Sequence, residues 1–406
     1  MTVRATKRGA DRTPLHGRRD VLICGASFAG LAVARELRGS GARVLLLDRY
    51  EIGERQTSAC AAPTEWLEHL GLAGTIRQTF GELVVHRPDC SFRWPLPFTF
   101  STFDYRQLCR ELFAQTDAEF ETAKVDGRTV GADGSITVHT DRGDLTAPLV
   151  VDALGWRRVL GSGKNIQPPN ARLSRGLEVH PAGTGEDLEL WIDPAYVRAG
   201  YGWSFPAGDE LRIGLGSFEP RDQVKDGTVR LADDLGPGIG THDAASTYQG
   251  NWIPHKMRDA VDGPIFFAGD SAGHCYPTTA EGIRPALYYG LALGRELRDV
   301  VEGRQARVQA LERYAAFCEE DRWAFRWMLR VQHMVGRINR YPAMTSVLEL
   351  FERLHMSEWA FGKYLALSPP EFALDSPAHP VPAPAATAPA GPGRPAAPAD
   401  REPAAV

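Results

Sequence analysis

Several groups of residues in this chain have types and spacings suited to work on a bound ligand. The first is the turn Gly25-Ala26-Ser27-Phe28-Ala29-Gly30, between a short apolar run and a segment with apolar residues at helical spacing. In such a turn Gly25 permits the tight bend and Gly30 lets helix and strand pack closely. The free N–H groups of the helix start then face a pyrophosphate. Ser27 stands where a dinucleotide fingerprint has its middle glycine, and its hydroxyl is small enough to touch a phosphate itself. Asp48, with Arg49 beside it, lies 23 residues beyond Gly25, where an acid meets ribose hydroxyls. Gly25-Ala26-Ser27 also resembles half of a nucleophile elbow, but Ala29 replaces the second glycine and no sheet precedes it.

The second group is Gly269-Asp270, which ends the apolar run Ile265–Ala268, followed by Gly282-Ile283 at the start of a long helix. An acid at a strand end can hold a ribityl chain. A helix N-terminus can stabilise negative charge on a ring by ~0.5–2 kcal/mol, as a reduced flavin requires at its N1–C2=O edge. The third group, Tyr201, Trp203 and Phe205 before Pro206, has period two and therefore occupies one face of a strand. Such a row is either core or an apolar wall over a ligand. Cys60 is a lone cysteine in a loop, a kind of residue more often inert than functional.

These residues need a frame. Val21–Cys24, a helix through Leu31, Val33, Ala34 and Leu37, and Val44–Leu47 read as a βαβ unit. A loop over 51–61 leads to a helix with Pro63 near its first turn and Gly71 past its end. Strands are expected in 82–100, with prolines marking an edge or bend, then a helix over 104–116 with Arg106 at its start, and strands over 123–151. Strands follow over 172–218, with a hairpin at 207–210. A helix covers 286–301, and 306–367 is helical and rich in aromatic and Met residues, packed as a cap or around a lipid-lined cavity.

The bulk composition narrows the class. A net charge of −5 argues against a nucleic-acid partner, and the six cysteines form no C-x-x-C pair. No metal site is expected, and a reduced, cytoplasmic chain is. The basic residues 1–19 lack the apolar core of a signal peptide, and no run reaches the ~18 apolar residues of a spanning helix. From Ser376 the chain is Pro/Ala-rich and reads as disordered.

Together, the glycine-turn βαβ and the late Gly-Asp strand end resemble the two-domain FAD enzymes of the aromatic-hydroxylase fold, and within them the geranylgeranyl reductases. The resemblance covers roughly residues 18 to 300. It implies an α/β chain with a Rossmann-type FAD-binding domain, an interleaved β-sheet substrate domain and C-terminal helices. The division expected is a disordered basic start (1–19), an FAD-binding domain (20–165 with 258–302, its 82–100 joining the substrate sheet) and a substrate-binding sheet domain (166–257). A helical region (303–370) and a disordered tail (371–406) complete it.

The resemblance assigns the pyrophosphate to Gly25, Ser27, Phe28, Ala29 and Gly30, the adenosine ribose to Asp48 with Arg49, and a further cofactor contact to Arg106. It assigns the ribityl chain to Gly269 and Asp270 and the flavin ring to Gly282 and Ile283. The family's Y-x-W-x-F-P segment is reproduced by Tyr201, Trp203, Phe205 and Pro206, and its cysteine near the flavin by Cys60. Ala61 and Ala62 follow Cys60 where the family has glycines, and Asp152-Ala-Leu-Gly155 only echoes the hydroxylase Asp-Gly motif.

The activity implied is reduction of C=C bonds in an apolar, isoprenoid-like substrate, with FAD as cofactor. NAD(P)H or a reduced ferredoxin would supply electrons. A monooxygenase on the same scaffold is the alternative, and a non-redox flavin-dependent cyclase ranks behind both. A transient contact with a membrane surface and the oligomeric state are left open.

Overall fold

The computed structural model of the chain describes residues 13–56, 58–162, 173–219, 222–236, 249–337 and 356–377. The basic start up to residue 12, the stretch 163–172, the glycines at 238 and 240, and the tail from 378 lie outside the described residues.

The βαβ unit builds the first sheet. β2 (Val21–Cys24), β3 (Val44–Asp48), β7 (Glu119–Thr122), β11 (Leu149–Asp152) and β18 (Ile265–Phe267) run parallel in the order β18-β11-β2-β3-β7, with β17 (Val261–Asp262) antiparallel on the β18 edge. The unbroken apolar text of β2 has a simple cause, since both faces are covered. Val21 and Ile23 face a core shared with the helices. Leu22 and Cys24 face Ile136, Val138 and Leu145. Those three belong to a small sheet of β1 (Gly17–Arg18), β10 (Gly143–Ala147), β9 (Ile136–Thr140) and β8 (Val125–Val130).

The second large sheet has the order β16 (Gln249–Pro254), β12 (Leu173–Val179), β15 (Leu211–Ser217), β14 (Gly200–Pro206), β13 (Leu188–Trp191), β5 (Ile76–His86), β6 (Ser91–Phe103), β4 (Ala61–Pro63). The expected hairpin is β14–β15, with Tyr201 opposite Gly216, Trp203 opposite Gly214 and Phe205 opposite Arg212. Pro95 and Pro97 fall on the part of β6 that β4 leaves uncovered, because β4 pairs only with 100–102. A missing N–H costs nothing on that open edge. α4 (Val224–Leu235) packs Leu231 against Ile213 and Leu215 on the other face of this sheet.

Of the remaining helices, α2 (Thr64–His69) follows β4 with Pro63 at its N-cap, and α3 (Tyr105–Ala114) is capped by Asp104, which accepts from Gln107 N at 2.8 Å. α1 (Phe28–Glu36) and α5 (Ile283–Val301) are the pair that matters most. A Cβ on Gly290 would lie 2.8 Å from the Ala29 carbonyl oxygen, and one on Gly294 would lie 2.6 Å from Glu36 Cβ. Glycine therefore sets this close approach. Contacts advance in the same direction along both helices, so they run parallel. α6 (Arg307–Glu320), α7 (Arg322–Arg337) and α8 (Met356–Leu365) complete the chain.

Some sequence expectations need correction. α5 begins at Ile283 with Gly282 at its N-cap, where the sequence puts the helix start and three residues before its expected span of 286–301, and Pro285 lies in the first turn where no N–H is missed. The start of the chain is ordered by residue 17, because Gly17 and Arg18 pair with Leu145 and Thr146 at an open sheet edge. Residues 371–377 are packed against the body, not part of a loose tail. Phe372 stacks against Tyr288 at 4.5 Å, its carbonyl accepts from Arg295 at 2.6 Å, and Ser376 donates to Glu36 at 2.8 Å. The one aromatic residue in that stretch was the signal, outweighed by the proline content around it.

Candidate functional site

The glycine turn is as tight as its sequence demands. Gly25 has φ +113°, and a Cβ there would meet the Ala153 carbonyl oxygen at 2.1 Å. A Cβ on Gly30 would meet the Gly25 oxygen at 1.9 Å. Phe28 is buried edge-on between Phe103 and Tyr105, which fixes the first residue of α1. Ala29 lies where a Cβ on Gly269 would come within 3.0 Å, so the two glycine motifs, far apart in sequence, touch. The Ser27 side chain differs from expectation. Its hydroxyl is 3.1 Å from the Tyr105 hydroxyl, which leaves its backbone N–H to face an anion.

Asp48 accepts hydrogen bonds from Ala26 N at 2.9 Å and Tyr50 N at 3.0 Å, so it braces the turn from the end of β3. Burial raises its carboxyl above the usual range, and those two N–H groups pull it back. Arg49 stands over the Tyr50 ring. Arg106 is exposed on the first turn of α3, with its backbone against Gly53, and it joins no ion pair among the described residues.

Asp270 sits in a short turn after β18. Its neighbour Asp152, at the end of β11, holds that turn by accepting from the Ser271 hydroxyl at 2.7 Å and from Leu160 N at 2.7 Å. The Asp270 carboxyl makes no hydrogen bond among the described residues, and burial lifts it to about 6 despite Arg258 nearby. A Cβ on Gly282 would lie 3.6 Å from Asp270 Oδ1, so the acid and the start of α5 border one space. Because α1 and α5 are parallel and Ala29 is level with Gly290, α5 begins about six residues, roughly 9 Å, beyond the start of α1. That offset leaves the two helix N-termini at different levels along one space.

The aromatic row closes this space from the second sheet. Tyr201, Trp203 and Phe205 are half-buried, whereas the residues between them are buried on the opposite face. The row thus lies on the less buried face of β14, with Phe205 packed against the cluster of Phe80, Leu83, Val85 and Leu188. The Tyr201 hydroxyl donates to the Thr279 carbonyl in the loop before α5, which ties the sheet to the helix start. The Trp203 ring crosses Gly214, where a Cβ would come within 2.3 Å, and its Nε1 donates to Glu178 Oε2 at 2.9 Å.

Glu178 is buried on β12 and its other oxygen lies 2.5 Å from His180 Nε2. Neither residue was singled out in the sequence, since only the register opposite Gly214 puts Glu178 beneath the indole. Arg212 was missed for a similar reason. Buried opposite Phe205, it donates to the carbonyls of Ala59, Cys60 and Phe103, and so fastens the Cys60 loop to the wall.

Cys60 has a left-handed φ of 56° and is fully buried just before β4. Burial pushes its thiol well up, and Glu178 and Cys109 add to this against the pull of Arg212. The thiol donates to the Ser58 carbonyl at 3.1 Å, so it is a neutral group and not a nucleophile. Among the described residues no cluster of ligands fits a metal ion.

Comparison with known proteins agrees with this geometry. No family model matches the chain. It is 23% identical over 365 residues to digeranylgeranylglycerophospholipid reductase 3 of Methanosphaera stadtmanae, covering 81% of this chain and 86% of that protein. Among solved structures, a geranylgeranyl bacteriochlorophyll reductase-like protein from Thermoplasma acidophilum superposes with a TM-score of 0.74 at 16% identity, covering 88% of this chain and 98% of the other. A probable FAD-dependent monooxygenase from Pseudomonas aeruginosa gives 0.60 at 19% identity, covering 79% and 96%. The fold is that of two-domain flavoproteins, a parallel Rossmann-type sheet joined to a second, mixed β-sheet. In sequence as well as fold the chain is similar to geranylgeranyl reductases.

Proposed function

We propose that the protein uses FAD to reduce carbon–carbon double bonds in an apolar, isoprenoid chain. The observation that carries this is the half-buried row Tyr201–Trp203–Phe205, tied through Thr279 to the start of α5. Digeranylgeranylglycerophospholipid reductase, the activity for which the similar archaeal protein is named, acts at a substrate such a wall suits.

The residues fit the cofactor. Gly25 and Gly30 leave no room for side chains at the turn, and a Cβ on Gly282 would find only ordinary contacts. The N–H groups of Ser27, Phe28, Ala29 and Gly30 would hold the pyrophosphate. Asp48 with Arg49 would hold the adenosine end, and Arg106 an outer phosphate or ribose edge. Asp270 with Gly269 would hold the ribityl chain, and Gly282 and Ile283 would face the ring with the positive end of α5. When bound and reduced, FAD supplies a hydride equivalent.

The chain supplies the rest. Trp203, fixed by Glu178, and Tyr201, fixed by Thr279, orient an alkene against the ring and exclude water. Cys60 holds a proton at Sγ, kept there by burial, within the field of Glu178. Electrons would come from NAD(P)H bound transiently or from a reduced ferredoxin-like protein. All six cysteines are free thiols, which suits a reducing cytoplasm.

The test is anaerobic. Flavin-loaded protein is reduced with dithionite and mixed with geranylgeranyl lipids. Reoxidation without oxygen, with product two hydrogens heavier, supports the reading. Reoxidation only by oxygen would replace it with a monooxygenase, and product of unchanged mass with a cyclase.

A further inference from the structure

α7 carries two faces with opposite demands. Ala324, Phe325, Met328 and Gln332 point inward. Gln332 donates to the Pro277 carbonyl and lies 2.6 Å from His255 Nδ1 through its oxygen, so this face grips the loop that leads to α5. On the outward face Trp323 is 67% exposed, Trp327 60% and Met334 53%. Arg326 and Arg330, also exposed, stand among them. The spacing of four, three and four residues from Trp323 through Trp327 and Arg330 to Met334 keeps these side chains on one stripe.

Exposed tryptophans cost free energy in water, and two on successive turns of one helix need a reason. The helix holds no Asp or Glu, although the whole chain carries a net charge of −5. Arg322 at its start is paired with Asp259 and Glu319, whereas Arg326 and Arg330 have no ion-pair partner among the described residues. Indole rings flanked by guanidinium groups match one environment well, the boundary between acyl chains and anionic headgroups. No described helix is long and apolar enough to cross a membrane, so the contact would be a surface one.

We propose that the Trp323–Trp327–Met334 stripe of α7, with Arg326 and Arg330, docks the protein on anionic lipid surfaces. The charge complementarity rests on Arg326 and Arg330, since the acids just before the stripe include Glu319, paired with Arg322, and Asp321, which accepts from Tyr289. Docking here would place the bilayer on the face of α7 opposite Gln332, which holds the loop before α5. The inference does not depend on the reductase reading, because vesicle binding is measured without turnover.

The experiment uses the full-length, flavin-loaded protein in co-sedimentation with vesicles of phosphatidylcholine alone or phosphatidylcholine with phosphatidylglycerol. Wild type should pellet with the anionic vesicles and be released by added salt. Arg326→Gln with Arg330→Gln should lower the partition coefficient by roughly 30-fold, at about fivefold for each arginine near an anionic surface. Trp323→Ala with Trp327→Ala should abolish pelleting with the anionic vesicles. Both double variants should keep wild-type flavin content and melting temperature, since all four side chains are exposed. Wild type remaining in the supernatant, or either variant pelleting as well as wild type, would overturn the proposal. So would tryptophan variants that change only the oligomeric state on size exclusion, which would assign the stripe to a second copy of the chain.

Discussion

Replacing Asp270 by Asn should stabilise the apoprotein and weaken its hold on flavin. The carboxyl lies at the end of β18 with no hydrogen-bond donor among the described residues, and burial raises it from 3.8 to about 6. The folded state therefore binds this proton more tightly than the unfolded chain does. By linkage, stability falls as pH rises from about 4 to about 6, and the penalty is fully present at neutral pH. Moving from 3.8 to about 6 corresponds to roughly 3 kcal/mol, and residual contact with water reduces this to about 2. Denaturant unfolding of apoprotein at pH 7.5 should thus show Asp270→Asn to be about 2 kcal/mol more stable than wild type, with the gap closing near pH 4. A ribityl hydroxyl donating to the carboxylate would offset the same penalty in wild type. Flavin affinity should accordingly fall by at least tenfold in the variant, measured by calorimetry. An unchanged apoprotein difference between pH 4 and 7.5 would refute the electrostatic reasoning. Undiminished flavin affinity would refute the ribityl assignment.

Other residues give sharp outcomes. Gly290→Val forces a side chain into the Ala29 carbonyl, and about 2–3 kcal/mol of stability should be lost together with retained flavin, seen in melting curves and absorbance spectra. Glu178→Gln keeps an acceptor for Trp203 Nε1 but removes the charge near Cys60, so flavin content should hold while the pH profile of kcat moves. An unmoved profile would make Glu178 a purely structural anchor. Trp203→Ala should retain flavin and raise KM for long apolar substrates, and unfolding instead would return the aromatic row to the core. Cys60→Ser should leave flavin binding intact and lower kcat. Wild-type turnover would remove the thiol from proton delivery.

Local text was enough for the elements on which the proposed cofactor site rests. Gly25, Gly30 and Asp48 belong to one βαβ unit whose partners are close in sequence, and each does what only its residue type can do at that position. Gly269, Asp270, Gly282 and the first turn of α5 were legible for the same reason. The aromatic row was legible as a face, because period two in a strand leaves no choice. Which face it was depended on the neighbours, since only the pairing of β14 with β15 and the packing of α4 behind them put Tyr201, Trp203 and Phe205 on the less buried face. Glu178 under Trp203, Arg212 behind Cys60 and Tyr105 on Ser27 are contacts between residues 25 to over 150 positions apart, set by sheet register and helix packing. Side-chain chemistry and short-range periodicity were written in the sequence by itself. The offset of roughly 9 Å between the two helix starts, and the face that the aromatic row presents, came from tertiary packing alone, because glycine contacts between α1 and α5 set distances that no local pattern encodes.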